Sequence, residues 1–349
     1  MSAPAVHLVV PGPLDQRTGG YVYDRRIVHG LRARGREVVV HELTGAHPRA
    51  DEAARRAAAR CLDDIPPGAL PVIDGLALPA FAGVIEEQSS PWVALIHHPL
   101  ALETGLPVDD AEALAALEGR LLAGAARVIV TSPATRHDVA ALGVAPQRIG
   151  VVLPGTDPAP LARGSGGPGA SLLCIASLTP RKGHLVLLEA LARLPDLDWR
   201  LTLVGSLERD PGCARAVLAA RERLGLVRQV EVVGEHDEAA LAAFYGRADL
   251  FVLASFHEGY GMVLADALAR GLPVIASRAG AIPDTVPEAA GLLVPPGDAG
   301  ALAGALRRVI GDPELRRRLA QGATQARQHL PSWKEAARRF AGELDRLCP

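Results

Sequence analysis

Aromatic residues make up only 3% of this 349-residue chain, and that scarcity removes one class of function at the outset. Single-stranded nucleic acids are held on aromatic platforms interleaved with cations, and the chain has no such interleaving. An excess of one charge is also missing. The 37 Lys and Arg residues stand against 39 Asp and Glu, for a formal net charge of -2, with no run of like charge to act as a nucleic-acid arm. Nucleic acid is therefore not an expected partner. The four cysteines, Cys61, Cys174, Cys213 and Cys348, form no Cys-x-x-Cys pair, which argues against a zinc site and against a disulfide framework and fits a reducing cytoplasm. Asp74 and Glu86 interrupt the best apolar stretch, leaving it short of the ~20 residues a membrane span needs. Met1 leads through Ser-Ala-Pro-Ala into the strand-like Val6 to Val10 without a basic, leader-like segment. The expectation is a cytoplasmic protein with at most peripheral contact at the inner membrane face. Lysine is nearly absent, since only Lys182 and Lys334 occur among the 37 basic residues.

What remains is apolar and periodic. The length is too great for one ordinary core and suits two α/β domains of ~150 residues or more. Short β-branched runs, VHLVV at 6, EVVVHEL at 37, WVALIH at 92 and RVIVT at 127, alternate with Ala-, Arg- and Leu-rich helical stretches, a pattern that predicts a parallel sheet wrapped by helices. The alternation pauses at LPGTDPAPLARGSGGPGAS, residues 153 to 171, whose Pro, Gly and Ser content marks a linker. It resumes with SLLCIAS at 171, WRLTLVG at 199, VEVVG at 230, DLFVLAS at 249 and PVIAS at 273. The expected fold class is α/β, with two Rossmann-like doubly wound domains over 1–155 and 156–330. An amphipathic final segment, 331–349, is expected to cross back to the first domain. Ligands of such sheets bind beyond the carboxyl ends of the strands, so an interdomain cleft lined by strand-to-helix loops is the expected site.

The richest stretch is DLFVLASFHEGYGMVLADALARGLPVIAS: a buried strand, a glycine-rich turn, a helix from Met262 to about Arg270, and another strand. Gly259 and Gly261, flanking Tyr260, allow a tight turn and leave the first-turn amides near Met262 and Val263 without intrahelical partners. Such amides hold anions. Asp266, on the same helix face as Met262, is placed to accept hydrogen bonds from ribose hydroxyls. Glu258, in the loop, is expected to point toward a sugar. A solvated helix with a favourable acid at its positive end is the plainer alternative. In LTPRKG, between SLLCIAS and a helix starting near His184, Arg181 and Lys182 suit a diphosphate. Cations arranged in advance stabilise the charge that grows on a leaving phosphate more than they stabilise the ground state.

In the first half, Gly19 and Gly20 precede a helix that Gly35 ends, but they do not make a GxGxxG directly after the strand, so a nicotinamide dehydrogenase is disfavoured. His97 and His98 end the strand WVALIH, where a neutral imidazole could hydrogen-bond sugar hydroxyls. No carboxylate cluster is visible near them in the sequence, so no metal is expected. Arg25, Arg26, Arg32, Arg34 and Arg36 lie along one helix and its end, either as a solvated face or as a surface for an anionic acceptor or lipid.

EGYGMVLADALARGLPVIAS resembles the signature of the retaining glycosyltransferases of family four, which have the two-domain GT-B fold. That signature has Glu, seven residues, Glu; here Asp266 stands second, with a reach shorter by one methylene. YGRADLFVLAS before the stretch, and AGAIPDTV and GLLVPPGD after it, extend the resemblance over most of the second half. The resemblance implies retaining transfer of a hexose or related sugar from a nucleotide-diphosphate donor, UDP- or GDP-linked, to a hydroxyl acceptor such as a lipid or a small metabolite. It implies no cofactor and no metal. It places Arg181 and Lys182 on the donor pyrophosphate, Glu258 at the sugar, and His97, rather than His98, against the transferred sugar. Gly19, Gly20, Gly205, Gly259, Tyr260, Gly261, Met262, Val263 and Asp266 make up the implied donor-binding set. A sugar-nucleotide epimerase of the same architecture and a binding subunit without turnover are the competing readings.

Overall fold

The computed structural model describes residues 4–347, so Cys348 lies outside the described residues. The chain divides into two compact units, Met1–Gly155 with Pro331–Pro349, and Thr156–Leu330.

The first unit runs β1 (Val6–Pro11), α1 (Gly19–Ala33), β2 (Val38–Leu43), α2 (Glu52–Asp64), β3 (Leu70–Asp74), β4 (Val93–Ile96), α3 (Val108–Gly124), β5 (Arg127–Val130), α4 (Pro133–Ala141) and β6 (Ile149–Val151). Its six strands are all parallel in the order β2-β1-β3-β4-β5-β6. Every residue of β1, β3 and β4 is buried, as expected of a parallel sheet covered on both faces. The connections leave β1 in one direction to β2 and in the other to β3. The topological switch point, where doubly wound sheets bind ligands, therefore lies at the carboxyl ends of β1 and β3.

The second unit continues with β7 (Ala170–Ile175), α5 (His184–Leu191), β8 (Trp199–Val204), α6 (Pro211–Arg223), β9 (Val230–Val232), α7 (Glu238–Arg247), β10 (Leu250–Leu253), α8 (Met262–Ala269), β11 (Val274–Ser277), α9 (Ile282–Thr285), β12 (Gly291–Val294), α10 (Ala299–Gly311) and α11 (Pro313–Ala326). Its parallel order, β12-β11-β10-β7-β8-β9, reverses between β7 and β10. The expected α/β fold of two doubly wound sheets is observed. Three strands, β3, β6 and β12, were not anticipated, because each apolar run is short and ends against Asp, Pro or a helix cap.

The final helix, α12 (Trp333–Asp345), belongs to the first unit and packs on α1, as expected. Ser332 caps it through the Glu335 amide at 3.2 Å, and Ala336, Ala337, Phe340 and Leu344 form its buried stripe. Arg127 of β5 donates to Glu343 at 2.7 Å, with both side chains about one-seventh exposed, and Arg36 reaches Asp345 at 2.7 Å. The stretch read as a linker has no helix or strand before β7, yet it is not loose. The amides of Ala162 and Arg163 bond the carbonyls of Arg270 (2.8 Å) and Gly246 (2.9 Å). They thereby satisfy helix-end carbonyls of α8 and α7 that have no partner within their own helix.

The arginines of α1 do not form a free basic face. Arg25 donates to the carbonyls of Leu14 and Gln16 at 2.8 Å, Arg32 donates to that of Val38, and Arg36 is buried. The Arg26 guanidinium lies 5.6 Å from the Trp333 ring centroid. Arg32 and Arg34 are exposed, as the solvated reading has it, while Arg25, Arg26 and Arg36 are turned onto neighbouring backbone, a ring or an acid.

Candidate functional site

In the second unit the chemistry gathers at the switch point. The loop after β7 forms a 3-10 turn, Pro180–Lys182, and Gly183 follows in the left-handed region at φ +65. A Cβ on Gly183 would lie 2.0 Å from the Ala254 carbonyl oxygen, so only glycine lets this loop sit against the end of β10. That contact brings Arg181 and Lys182 to Glu258. The Lys182 ammonium bonds Glu258 Oε1 at 2.6 Å, the Ser255 hydroxyl donates to the same oxygen at 2.6 Å, and Arg181 Nη1 stands 3.7 Å from Oε2. Arg181 also donates to the His257 carbonyl at 2.8 Å.

Glu258 is 6% exposed, so the loop carboxylate is buried. A buried carboxylate is costly unless charges and donors surround it. Burial pushes its pKa up, but the Lys182 and Arg181 charges and the bonds from Lys182 and Ser255 outweigh this and hold it down at about 2. The carboxylate neutralises one of two clustered cations and fixes both in place.

Gly261, at φ +82, turns the chain into α8, whose first bonds to the Gly261 carbonyl come from Leu264 and Ala265. The amides of Met262 and Val263 therefore precede the helical ladder. Tyr260 is buried, and its carbonyl accepts from the Thr285 hydroxyl at 2.8 Å; Gly259 sits between it and Glu258 in the loop. Asp266 comes one turn after Met262, near two tyrosines. Burial, followed by the Asp266 charge, raises Tyr260 to about 12. Gly205, at the end of β8, abuts β7: a Cβ there would lie 2.0 Å from the Ala176 carbonyl oxygen.

The remaining predicted residues, Gly19, Gly20 and His97, belong to the first unit and meet at its own switch point. His97 follows β4, and Gly20 lies against its ring, where a Cβ would be 3.1 Å from Cδ2, tighter than ordinary contact. Gly19 begins α1. The sequence reading missed two partners. His97 Nε2 lies 3.1 Å from Asp24 Oδ1 and 3.2 Å from Asp74 Oδ2, and both aspartates are buried. The expectation of no carboxylates near His97 is therefore overturned, because α1 and the end of β3 deliver them from distant parts of the chain. A signal existed for each. Asp24 is the one acid in the apolar stripe of α1 with Ile27, Val28 and Leu31, and Asp74 ends the apolar run LPVID. His98 sits nearby with Glu103, at 3.3 Å.

Burial disfavours a charged His97, but the attraction of Asp24, reinforced by Asp74, raises its pKa to about 10. Each carboxylate at 3.1 to 3.2 Å attracts the imidazolium by about 5 kcal/mol at an effective dielectric near 20, and the two act together against the desolvation cost. Burial raises Asp24 in turn, to about 6, against the pull of His97. The three ligand atoms lie within 4.8 Å of one another, close enough to share a cation. In this arrangement, however, Nε2 is spent as the hydrogen-bond donor between the two carboxylates.

Two doubly wound units of this kind make up the GT-B fold. Residues 164–326 match the family model described as Glycosyl transferases group 1, and this segment belongs to that family. The chain is 29% identical over 269 residues to an MMP alpha-(1->4)-mannosyltransferase of Mycolicibacterium hassiacum, covering 72% of this chain and 64% of that protein. It is 33% identical over 254 residues to the D-inositol 3-phosphate glycosyltransferase of Pseudarthrobacter chlorophenolicus, covering 65% of this chain and 60% of that one. The chain thus spans under two thirds of the length of either relative. Among solved structures, sucrose-phosphate synthase from Thermosynechococcus elongatus superposes with a TM-score of 0.85 at 23% identity over 99% of both chains. Anabaena HepE in complex with UDP and glucose gives 0.78 at 19% identity over 98% of this chain and 99% of that one. No helix among the described residues is long and apolar enough to cross a membrane.

Proposed function

We propose that this protein is a retaining glycosyltransferase that moves a hexose or related sugar from a nucleotide-diphosphate donor to a hydroxyl acceptor without a bound metal. The observation that carries the reading is the Arg181–Lys182–Glu258 cluster beside the amino end of α8, at the switch point of a Glycosyl transferases group 1 segment. Two cations against one carboxylate leave a net positive charge, and the amides of Met262 and Val263, which precede the helical ladder of α8, add the positive end of that helix. As the bond from the anomeric carbon to the donor phosphate breaks, negative charge collects on the departing oxygen, and these groups meet it without reorganising. That oxygen then takes the proton of the acceptor hydroxyl as the hydroxyl attacks from the same face, which retains the configuration. Arg181 and Lys182 supply the charge that a divalent ion supplies in other transferases, hence the proposed metal independence.

In this reading the second unit holds the donor, with Asp266 on the ribose, and the first unit, through His97, holds carbohydrate hydroxyls. UDP and GDP are the candidate nucleotides, and the acceptor is a small hydroxylated metabolite or a lipid headgroup. A cytoplasmic location goes with a nucleotide-sugar donor. The test is a thermal-shift panel of UDP, GDP, ADP and their sugars, followed by product analysis in the presence and absence of EDTA. A ligand at 100 times its Kd adds about 2.7 kcal/mol of stability. An acceptor glycoside formed at an unchanged rate in EDTA supports the proposal. An altered free nucleotide sugar points to epimerisation, and binding without turnover points to a sensor.

A further inference from the structure

The first-unit cluster is built more elaborately than a histidine that merely touches a sugar requires. Two carboxylates from separate elements, each almost fully buried, converge on one ring nitrogen. The ring is held on its other sides too. Tyr23 meets it edge-on at 5.3 Å between centroids and is itself anchored by its hydroxyl to the Val152 carbonyl at 3.1 Å. Gly20 packs against Cδ2, and the His97 carbonyl accepts from the Thr131 hydroxyl at 3.2 Å. The ring nevertheless keeps 18% of its side-chain surface exposed. A shared contact to two carboxylate oxygens requires a hydrogen on Nε2, because neither oxygen can donate when ionised.

Resting on the carbohydrate-transfer reading, we propose that Asp24 and Asp74 are positioning residues that clamp His97 with Nε2–H turned inward, so that Nδ1–H is a permanent hydrogen-bond donor to a substrate hydroxyl. His97 is then a fixed cationic donor and not the base that takes the acceptor proton. The proposal gives the first unit a defined preference for an oxygen acceptor atom in the substrate. It also assigns the buried acids of α1 and β3 a role through His97, without contact to substrate. The titratable or charged groups around the ring and its two carboxylates are Asp24 and Tyr23 from α1 and Asp74 from β3 at the ring, with Arg25 beside Asp24 and His47 beside Asp74. The pair of carboxylates outweighs the rest, consistent with the raised pKa of His97.

The experiment uses the full chain labelled with 15N-histidine, with the His97 signal identified by its loss in His97→Gln. In the native protein both ring nitrogens of His97 are expected to stay protonated from pH 6 to 8.5. In Asp24→Asn the midpoint is expected to fall into that range, a drop of at least tenfold in proton affinity, and Asp24→Glu is expected to restore part of it. Asp74→Asn carries the same expectation, should Asp24→Asn fail to fold. Under saturating UDP-glucose or GDP-mannose, whichever the native chain turns over, Asp24→Asn is expected to lower kcat by 10- to 100-fold while the donor KM stays within about twofold, and its rate is expected to fall as pH rises through the new midpoint. A neutral His97 at pH 7.5 in the native chain would overturn the proposal, as would an Asp24→Asn variant with an unshifted midpoint. A native chain whose His97 titrates as described, but which turns over no nucleotide sugar, would refute the transfer reading and leave the clamp standing.

Discussion

Replacing Lys182 with methionine keeps most of the side-chain length and removes the charge, and the structure sets two separate consequences. The first is on stability. Glu258 loses its 2.6 Å partner and keeps Ser255 and the more distant Arg181. Its pKa, held at about 2 against an ordinary 4.5, corresponds to about 3 kcal/mol of folded-state preference for the carboxylate, and Lys182 is the larger of the two cationic contributors. Lys182→Met is therefore expected to cost about 2 to 3 kcal/mol at pH 7. A depressed carboxylate stabilises the fold above its unfolded pKa, and that contribution is lost as pH falls toward the folded value. The difference between native and variant chains should thus be full above about pH 5 and shrink toward pH 2. The second consequence is on turnover, expected to fall by about 10² to 10³ through loss of charge arranged for the departing phosphate. Urea melts at pH 7, 5 and 3, alongside initial rates, measure both. A stability gap that does not change with pH would refute the ion-pair account, and unchanged rates would remove Lys182 from the chemistry.

Other expectations follow from the same geometry. Gly183→Ala should cost about 2 kcal/mol or more, since φ +65 and the 2.0 Å approach to the Ala254 carbonyl both oppose a methyl group; the melt should fall together with UDP-induced stabilisation. His184 is buried with neither ring nitrogen partnered, and burial, then the Lys182 charge, lowers its pKa to about 4. Its neutral form therefore stabilises the fold above pH 6.5, and that contribution is lost as pH falls through 4. His184→Leu should raise stability by about 1 to 2 kcal/mol at pH 7 and flatten the acid side of the profile, and an unchanged acid limb would count against it. Glu343→Gln should cost about 2 kcal/mol by leaving the largely buried Arg127 without its carboxylate, and amide exchange over 333–345 should quicken before the rest of the first unit responds.

Much of this protein is written in local patterns. Alternating β-branched and helical runs declare two parallel sheets, because a strand covered on both faces must be apolar along its length. Gly-x-Gly before Met262 and the Arg181–Lys182 pair after β7 declare a turn and a cationic loop, because backbone freedom and charge are properties of single residues. The environment of Glu258 could not be read this way. A carboxylate in a polar, glycine-rich loop looks solvated until β7 and β10 are laid side by side, which brings residues 76 positions apart to 2.6 Å. The partners of His97 were equally hidden, since Asp24 lies inside a helix and Asp74 at the end of a short strand that was not anticipated. Only the strand order places the ends of β1, β3 and β4 around one point. Pairing of buried charge depends on distance in space, and sheet topology sets that distance independently of separation along the chain.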